Sequence, residues 1–165
     1  GLYVPNIEFE DMPLDIWKRH FAINVDGTFL GCKHAILRMK QHNNGAIVNI
    51  GSGMSIFANP TGAAYSGSKA ASLMTTRTAA RAAGKYNIRV NAVLPGAVAT
   101  AMLMGNINDG STPEEYVKLM ESFSPMSRLA TTEDIAHGVL MMSDPKSHAI
   151  SGVFLPVDCA NIPGA

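Results

Sequence analysis

Apolar side chains recur at helical spacing over residues 13–42. Trp17, Phe21 and Phe29 belong to this stripe, and a repeat of about 3.6 residues predicts one long amphipathic helix. Two glycines interrupt the stripe beyond its midpoint, so we expect a kink near Asn24. The histidine, asparagines and glycine that close the stripe predict the end of the helix.

Short runs of β-branched and apolar residues follow at 46–50, 88–94 and 151–157. Each run is bounded by glycine, proline or asparagine, and we interpret all three as strands. Residues 63–85 are rich in Ala, Lys, Arg and Leu, which favours a helix. Residues 97–111 show no clear period, and we predict a mobile loop there.

Two capping sequences predict shorter helices before the last strand. Thr112-Pro113-Glu114-Glu115 combines a capping box with a proline in the first turn. A similar sequence at Thr131 opens a second helix that should end near residue 142. Strands that alternate with helices imply a parallel sheet covered on both faces. The expected fold is therefore α/β, a doubly wound, Rossmann-like parallel sheet in a single domain, residues 1–165.

The composition of the chain argues against nucleic acid and membranes as binding partners. The chain is 47% apolar and 16% charged, and its 13 basic residues equal its 13 acidic ones. We therefore expect no nucleic-acid partner and no membrane association, because both need a basic surface or a long apolar run. The opening residues predict no signal peptide. Cys32 and Cys159 are interpreted as buried free thiols, which fits a cytoplasmic setting. The histidine spacing predicts no metal site.

The clearest chemical signal is Tyr65, followed four positions later by Lys69. On a helix these two side chains share a face. An ammonium beside a phenol favours the phenolate and should lower the tyrosine pKa, which would suit a general acid/base. Such a pair also arises by chance, so the spacing alone is weak evidence.

The residues that follow two of the predicted strands support a functional site at that pair. Ser52 follows the first predicted strand, and the segment 95–100 follows the second. Ligands of open α/β sheets bind beyond the carboxyl ends of their strands. There Ser52 could bond a carbonyl oxygen, although a serine in a turn is common by itself.

Together these segments resemble the classical short-chain dehydrogenase/reductase family in order and spacing, over essentially all 165 residues. The matching segments are Ile23-Asn24-Val25-Asp26-Gly27-Thr28-Phe29, Ile47-Val48-Asn49-Ile50-Gly51-Ser52, Tyr65-x-x-x-Lys69 and Val90-Asn91-Ala92-Val93-Leu94-Pro95-Gly96.

The resemblance implies a set of catalytic roles. Tyr65 would be the acid/base, and Lys69 would lower its pKa and bond the nicotinamide ribose. Ser52 would orient and polarise the substrate carbonyl. Asn24, at the helix kink, would hold a water that links Lys69 to solvent as a proton relay.

The resemblance also implies a cofactor side, where NAD or NADP would bind beside Tyr65 and Lys69. Val98 and Thr100 match the positions that bond the nicotinamide carboxamide. Pro95 and Gly96 would shape the floor of that pocket. Asn49 and Asn91 are expected to be structural, bracing neighbouring loops. The loop 97–111 would contact the substrate, and Met102 and Met104 are its best candidates.

The sequence departs from the family pattern in three places. The glycine-rich phosphate turn is absent, and Gly51-Ser52-Gly53 does not replace it because the third glycine position holds Ile56. Gly1-Leu2-Tyr3-Val4 resembles the stretch after the family's fourth strand. We therefore expect the N-terminal half of the sheet, with the residue that selects NAD or NADP, to be missing from this sequence.

The other two departures are single positions. Cys159-Ala160 stands where the family often has Gly-Gly, and Gly67 stands where it often has Ala. Neither should alter the chemistry, although Gly67 weakens its helix by up to about 1 kcal/mol.

The resemblance implies an oxidoreductase that transfers a hydride between NAD(P) and a small, hydrophobic or cyclic alcohol or carbonyl compound. It also implies a homodimer or homotetramer built on the helices at 15–39 and 63–85. Two alternatives stay open. One is a nucleotide-sugar epimerase or dehydratase with the same Tyr/Lys pair. The other is a non-catalytic fragment that serves at most in oligomerisation.

Overall fold

The computed structural model describes residues 1–161. The first helical stripe forms α1 (Leu14–Phe21) and α2 (Gly27–Met39), joined by a π-helical turn, Ala22–Asp26. Asn24 lies in that turn and is buried. The interruption predicted near Asn24 is thus a widened turn, in which the backbone ladder shifts from i→i+4 to i→i+5 bonding.

Three parallel strands form one sheet in the order β1-β2-β3. β1 is Gly45–Ile50, β2 is Ile88–Pro95 and β3 is Phe154–Val157. The third strand begins later than predicted because Gly152 has a φ of +77°, which an extended strand does not contain. The parallel α/β fold is confirmed.

Helices cover both faces of the sheet. α3 (Ala63–Ala83) and α2 pack on the face to which Ile88, Val90, Ala92 and Leu94 of β2 point. On the opposite face, α6 (Thr132–Ser143) comes close at Gly138, where an added Cβ would lie 3.5 Å from Val93 and 3.1 Å from Val157.

The segment between β2 and α6 is more ordered than predicted. A short helix, α4 (Ala101–Met104), lies within the predicted loop, and α5 (Pro113–Ser122) follows it. Both predicted capping boxes form: Thr112 pairs with Glu115, and Thr131 with Asp134. Within residues 1–161, no helix combines the length and the apolar content that crossing a bilayer requires.

The two strand asparagines have the structural roles that were predicted. Asn91 donates from Nδ2 to the Ile150 carbonyl oxygen at 2.9 Å and accepts from the Val153 amide at 3.0 Å. These bonds hold the loop that precedes β3. Asn49 reaches a helix instead of a loop, because its Nδ2 donates to Thr76 Oγ1 of α3 at 2.8 Å.

Candidate active site

The predicted catalytic side chains meet at the carboxyl end of β1. Ser52 follows this strand directly, while Tyr65 and Lys69 lie one turn apart on α3. Each of the two α3 residues is only 8% exposed. Lys69 Nζ donates to the Ile50 carbonyl oxygen at 2.8 Å and lies 5.8 Å from the centre of the Tyr65 ring. α3 thus places a phenol and an ammonium beside the end of the strand.

Burial dominates the titration of both groups. It raises the pKa of Tyr65, and a side-chain hydrogen bond with Ser52 lowers that pKa by less. The lowered tyrosine pKa that the cation led us to expect is therefore wrong for this chain. The reason is that desolvation disfavours the phenolate more than its neighbours favour it. Burial also lowers the pKa of Lys69, because the ammonium loses water.

Ser52 is held by a tight turn. Its Oγ accepts a hydrogen bond from the Met54 amide at 3.2 Å, and its own amide donates to Ser55 Oγ at 3.1 Å. This reciprocal capping box opens the short 3₁₀ turn Gly53–Ser55. With Oγ accepting from the backbone, the hydroxyl proton remains to be donated.

Asn24 connects α3 to the start of the chain. Its Oδ1 accepts from the Leu2 amide at 2.8 Å, and its Nδ2 donates to the Leu2 carbonyl oxygen at 3.0 Å and to Ser68 Oγ at 2.9 Å. Ser68 Oγ in turn donates to the Tyr65 carbonyl oxygen at 2.9 Å. The Asn24 amide therefore aligns the backbone of residue 2 with α3, next to Lys69. Its role in a proton relay stays a prediction.

The predicted cofactor residues follow β2. Pro95 is the last residue of that strand. Gly96 lies so close to the C-terminal segment that an added Cβ would be 2.8 Å from the Cβ of Asp158. Glycine is needed there for packing, whatever else the residue does. Val98 forms an isolated parallel bridge with Ala130. Thr100 precedes α4 without capping it through its side chain, so that hydroxyl is not committed to the helix.

Sequence reasoning overlooked two residues at this site, Tyr3 and His20. The ring of Tyr3 lies 4.6 Å from that of Tyr65, centre to centre. His20 is fully buried; its Nδ1 donates to the Ile16 carbonyl oxygen at 2.8 Å, and its Nε2 accepts from the Val4 amide at 3.2 Å. No local pattern marks either residue, because their partners belong to other parts of the chain.

The cysteines form no disulfide within residues 1–161, and the potential metal ligands there are dispersed. Cys32 and Cys159 are both buried free thiols, as predicted. Among residues 1–161, no three His, Cys, Asp or Glu side chains are grouped so that they could hold a metal ion.

A parallel sheet with helices on both faces and a Ser–Tyr–Lys group beyond its first strand is typical of Rossmann-like oxidoreductases. The family model described as enoyl-(acyl carrier protein) reductase matches residues 2–159. The chain belongs to this family, within the short-chain dehydrogenases/reductases.

Curated relatives agree with this assignment. An uncharacterized oxidoreductase from Thermotoga maritima is 36% identical over 155 residues, which are 94% of this chain and 62% of that protein. A 2,5-dichloro-2,5-cyclohexadiene-1,4-diol dehydrogenase from Sphingobium indicum is 32% identical over 150 residues, which are 91% of this chain and 58% of that protein. The chain thus spans about three fifths of the length of these relatives.

Solved structures share the fold. ElxO with NADP bound has a TM-score of 0.86 at 28% identity, over 98% of this chain and 64% of that chain. A xylitol dehydrogenase bound to NAD⁺ has a TM-score of 0.83 at 30% identity, over 96% of this chain and 65% of that chain.

Proposed function

We propose that this chain forms the catalytic part of an oxidoreductase that uses NAD or NADP. Its reaction would interconvert a small, hydrophobic or cyclic alcohol and the corresponding carbonyl compound. The observation that carries the proposal is the buried Tyr65, which lies one turn from the ammonium of Lys69 on α3, at the end of β1 that Ser52 follows.

Each side chain has one task in this proposal. The bound nicotinamide would supply or accept the hydride. Tyr65 gives its proton to the carbonyl oxygen during reduction and takes it from the alcohol during oxidation. Ser52 donates a hydrogen bond to the same oxygen and so orients the carbonyl. Lys69 stabilises the phenolate electrostatically. Asn24 belongs to the proton path between Lys69 and solvent.

The residues around Lys69 fit the nicotinamide end of a dinucleotide. An ammonium has three N–H donors, and the Ile50 carbonyl oxygen uses one of them. The other two suit the hydroxyls of a ribose, together with the phenol of Tyr65. Val98 would contribute backbone hydrogen bonds to the carboxamide, and Thr100 its uncommitted hydroxyl.

Pro95 and Gly96 would lie beneath the nicotinamide ring in this arrangement. A Cβ added at Gly96 would lie 2.8 Å from the Cβ of Asp158, so the C-terminal segment supports the floor of the pocket. The Gly96 amide also donates to the Val157 carbonyl oxygen at 3.3 Å, which ties the end of β2 to β3.

The substrate class is supported by the relatives and by the segment after β2. The Sphingobium relative is named for a cyclic diol. Met102 of α4 is 47% exposed, and α4 and α5 contribute further apolar side chains to the segment after β2. The single domain over residues 1–165, the cytoplasmic setting and the homodimer or homotetramer remain predictions. Residues 162–165 lie outside the described part of the chain.

The test is an activity screen of the full-length protein with both cofactors. We would follow the absorbance of the reduced nicotinamide with cyclic and acyclic secondary alcohols and with their ketones. Tyr65→Phe should lower turnover by a factor of about 100 or more, the size expected for a lost general acid/base. Tyr86→Phe, which changes a tyrosine in the core between α3 and β2, is the matched control.

Two results would contradict the proposal. One is an absence of cofactor-dependent turnover with every alcohol and ketone in the screen. The other is near-normal turnover in Tyr65→Phe, provided that the variant melts at the wild-type temperature.

A further inference from the structure

A second tyrosine lies against the acid/base tyrosine. The rings of Tyr3 and Tyr65 are 4.6 Å apart between centres, with an angle of 46° between their planes. This distance is within the range of attractive aromatic pairs. Tyr3 is half-buried and Tyr65 is buried, so the pair is shielded on one side by protein.

Hydrogen bonds fix the backbone on both sides of Tyr3. Leu2 is held by the side chain of Asn24 through two bonds of 2.8 and 3.0 Å. The Val4 amide donates to Nε2 of the fully buried His20 at 3.2 Å. A segment whose backbone is held twice by buried side chains cannot shift freely, so α1 and the π-helical turn fix the backbone that carries the Tyr3 ring.

The N-terminal segment is also tied directly to the substrate loop. Asn6 Nδ2 donates to the Asn106 carbonyl oxygen at 3.2 Å. The segment that carries Tyr3 is therefore connected to the loop between β2 and α5, in which the substrate contacts are predicted.

We propose that Tyr3 determines substrate specificity: its ring packs against a cyclic substrate held at Tyr65, and its hydroxyl hydrogen-bonds a second oxygen of that substrate. The preferred class is then cyclic diols and cyclic hydroxyketones. Aromatic side chains with a polar tip suit this task, because the ring supplies flat apolar contact and the hydroxyl supplies orientation. This inference rests on the proposed oxidoreductase function and names its substrate class.

The experiment compares substrates that differ by one feature. The full-length protein would be assayed with cyclohexanol, trans-1,2-cyclohexanediol and the acyclic 2-butanol, which has no second oxygen. The variants are Tyr3→Phe, which removes only the hydroxyl, and Tyr3→Leu, which removes the ring and the hydroxyl. Tyr86→Phe is the control, since Tyr86 packs against the buried cluster that includes Ala83 and Ile88.

Tyr3→Phe should lower the ratio of kcat/KM for the cyclic diol to that for cyclohexanol by about tenfold, the size of one hydrogen bond. The change should lie in KM, with kcat and its pH profile unaltered, because Tyr3 does not exchange the proton. Tyr3→Leu should raise KM for both cyclic substrates and leave that for 2-butanol within about twofold, because 2-butanol has neither a ring nor a second oxygen.

An active wild-type protein whose diol-to-alcohol ratio is unchanged in Tyr3→Phe would overturn the specificity role and leave the oxidoreductase proposal standing. A wild-type protein that turns over no alcohol or ketone would overturn both. The Tyr3→Phe ratio decides the question even where Tyr3→Leu does not fold.

Discussion

Lys69 Nζ donates a hydrogen bond of 2.8 Å to the carbonyl oxygen of Ile50, the last residue of β1. This bond joins α3 to the sheet at the point where the catalytic side chains meet. It also gives the buried ammonium one strong acceptor while the charge stays near the Tyr65 ring. The same residue thus supports local structure, and its effect on the pKa of the phenol is a prediction.

We predict that Lys69→Met shifts the pH dependence of turnover in the full-length protein. Burial already raises the pKa of Tyr65, and loss of the nearby cation should raise it further. Alcohol oxidation needs the phenolate, so its rise with pH should move to higher pH. Carbonyl reduction needs the protonated phenol and should persist to higher pH before it is lost. The pH profiles of kcat for alcohol oxidation and for carbonyl reduction measure this shift.

Lys85→Met is the matched control for this change. Lys85 is exposed and lies 5.1 Å from the Tyr86 ring, away from the site, so its removal should leave both profiles in place. If Lys69→Met retained the wild-type profile in its remaining activity, Lys69 would have no part in setting the Tyr65 pKa.

Gly67 has a packing partner that explains its place in α3. An added Cβ would lie 3.1 Å from Cη2 of Trp17, whose ring stacks on Phe21 at 4.9 Å. We predict that Gly67→Ala yields less than the gain of about 1 kcal/mol that helix propensity alone would give. Combined with Trp17→Leu, the alanine should recover that gain. A thermodynamic cycle of the four proteins should show coupling of at least about 0.5 kcal/mol, and additive effects would contradict the contact.

Ala160 occupies a backbone conformation that favours glycine. Its φ is +64°, and that of the preceding Cys159 is +58°. Because Ala160 is exposed, replacement removes little contact, and Ala160→Gly should stabilise the protein by about 1 kcal/mol. Ala82→Gly, on the exposed face of α3, should instead destabilise it by a similar amount. Denaturant midpoints give both values, and a lower midpoint for Ala160→Gly would contradict the argument.

The helices at 15–39 and 63–85 are predicted to form a subunit interface. Phe29 and Leu30 of α2 and Met74 of α3 are 51%, 47% and 57% exposed, more than isolated apolar side chains require. Light scattering of the full-length protein should show the mass of a dimer or tetramer. The same measurement on Met74→Glu should show a smaller assembly. Leu119→Glu on α5 is the control. A monomeric wild-type protein would contradict the prediction.

Local sequence was sufficient for most elements and for the chemical pair. β-branched runs bounded by turn residues predicted β1 and β2, since such runs fit a buried sheet. Thr112 and Thr131 marked helix starts because their hydroxyls bond the backbone amides of the first turn. The spacing of Tyr65 and Lys69 determined their shared face, since any helix brings i and i+4 together.

Tertiary structure decided the rest, because the relevant contacts join distant parts of the chain. Asn24 meets Leu2 across 22 positions, and nothing near either residue indicates that bond. Tyr3 acquired its place beside Tyr65 in the same way. The direction of the Tyr65 pKa also depended on the fold: the sequence shows the neighbouring cation, but only packing determines how much water the phenol loses.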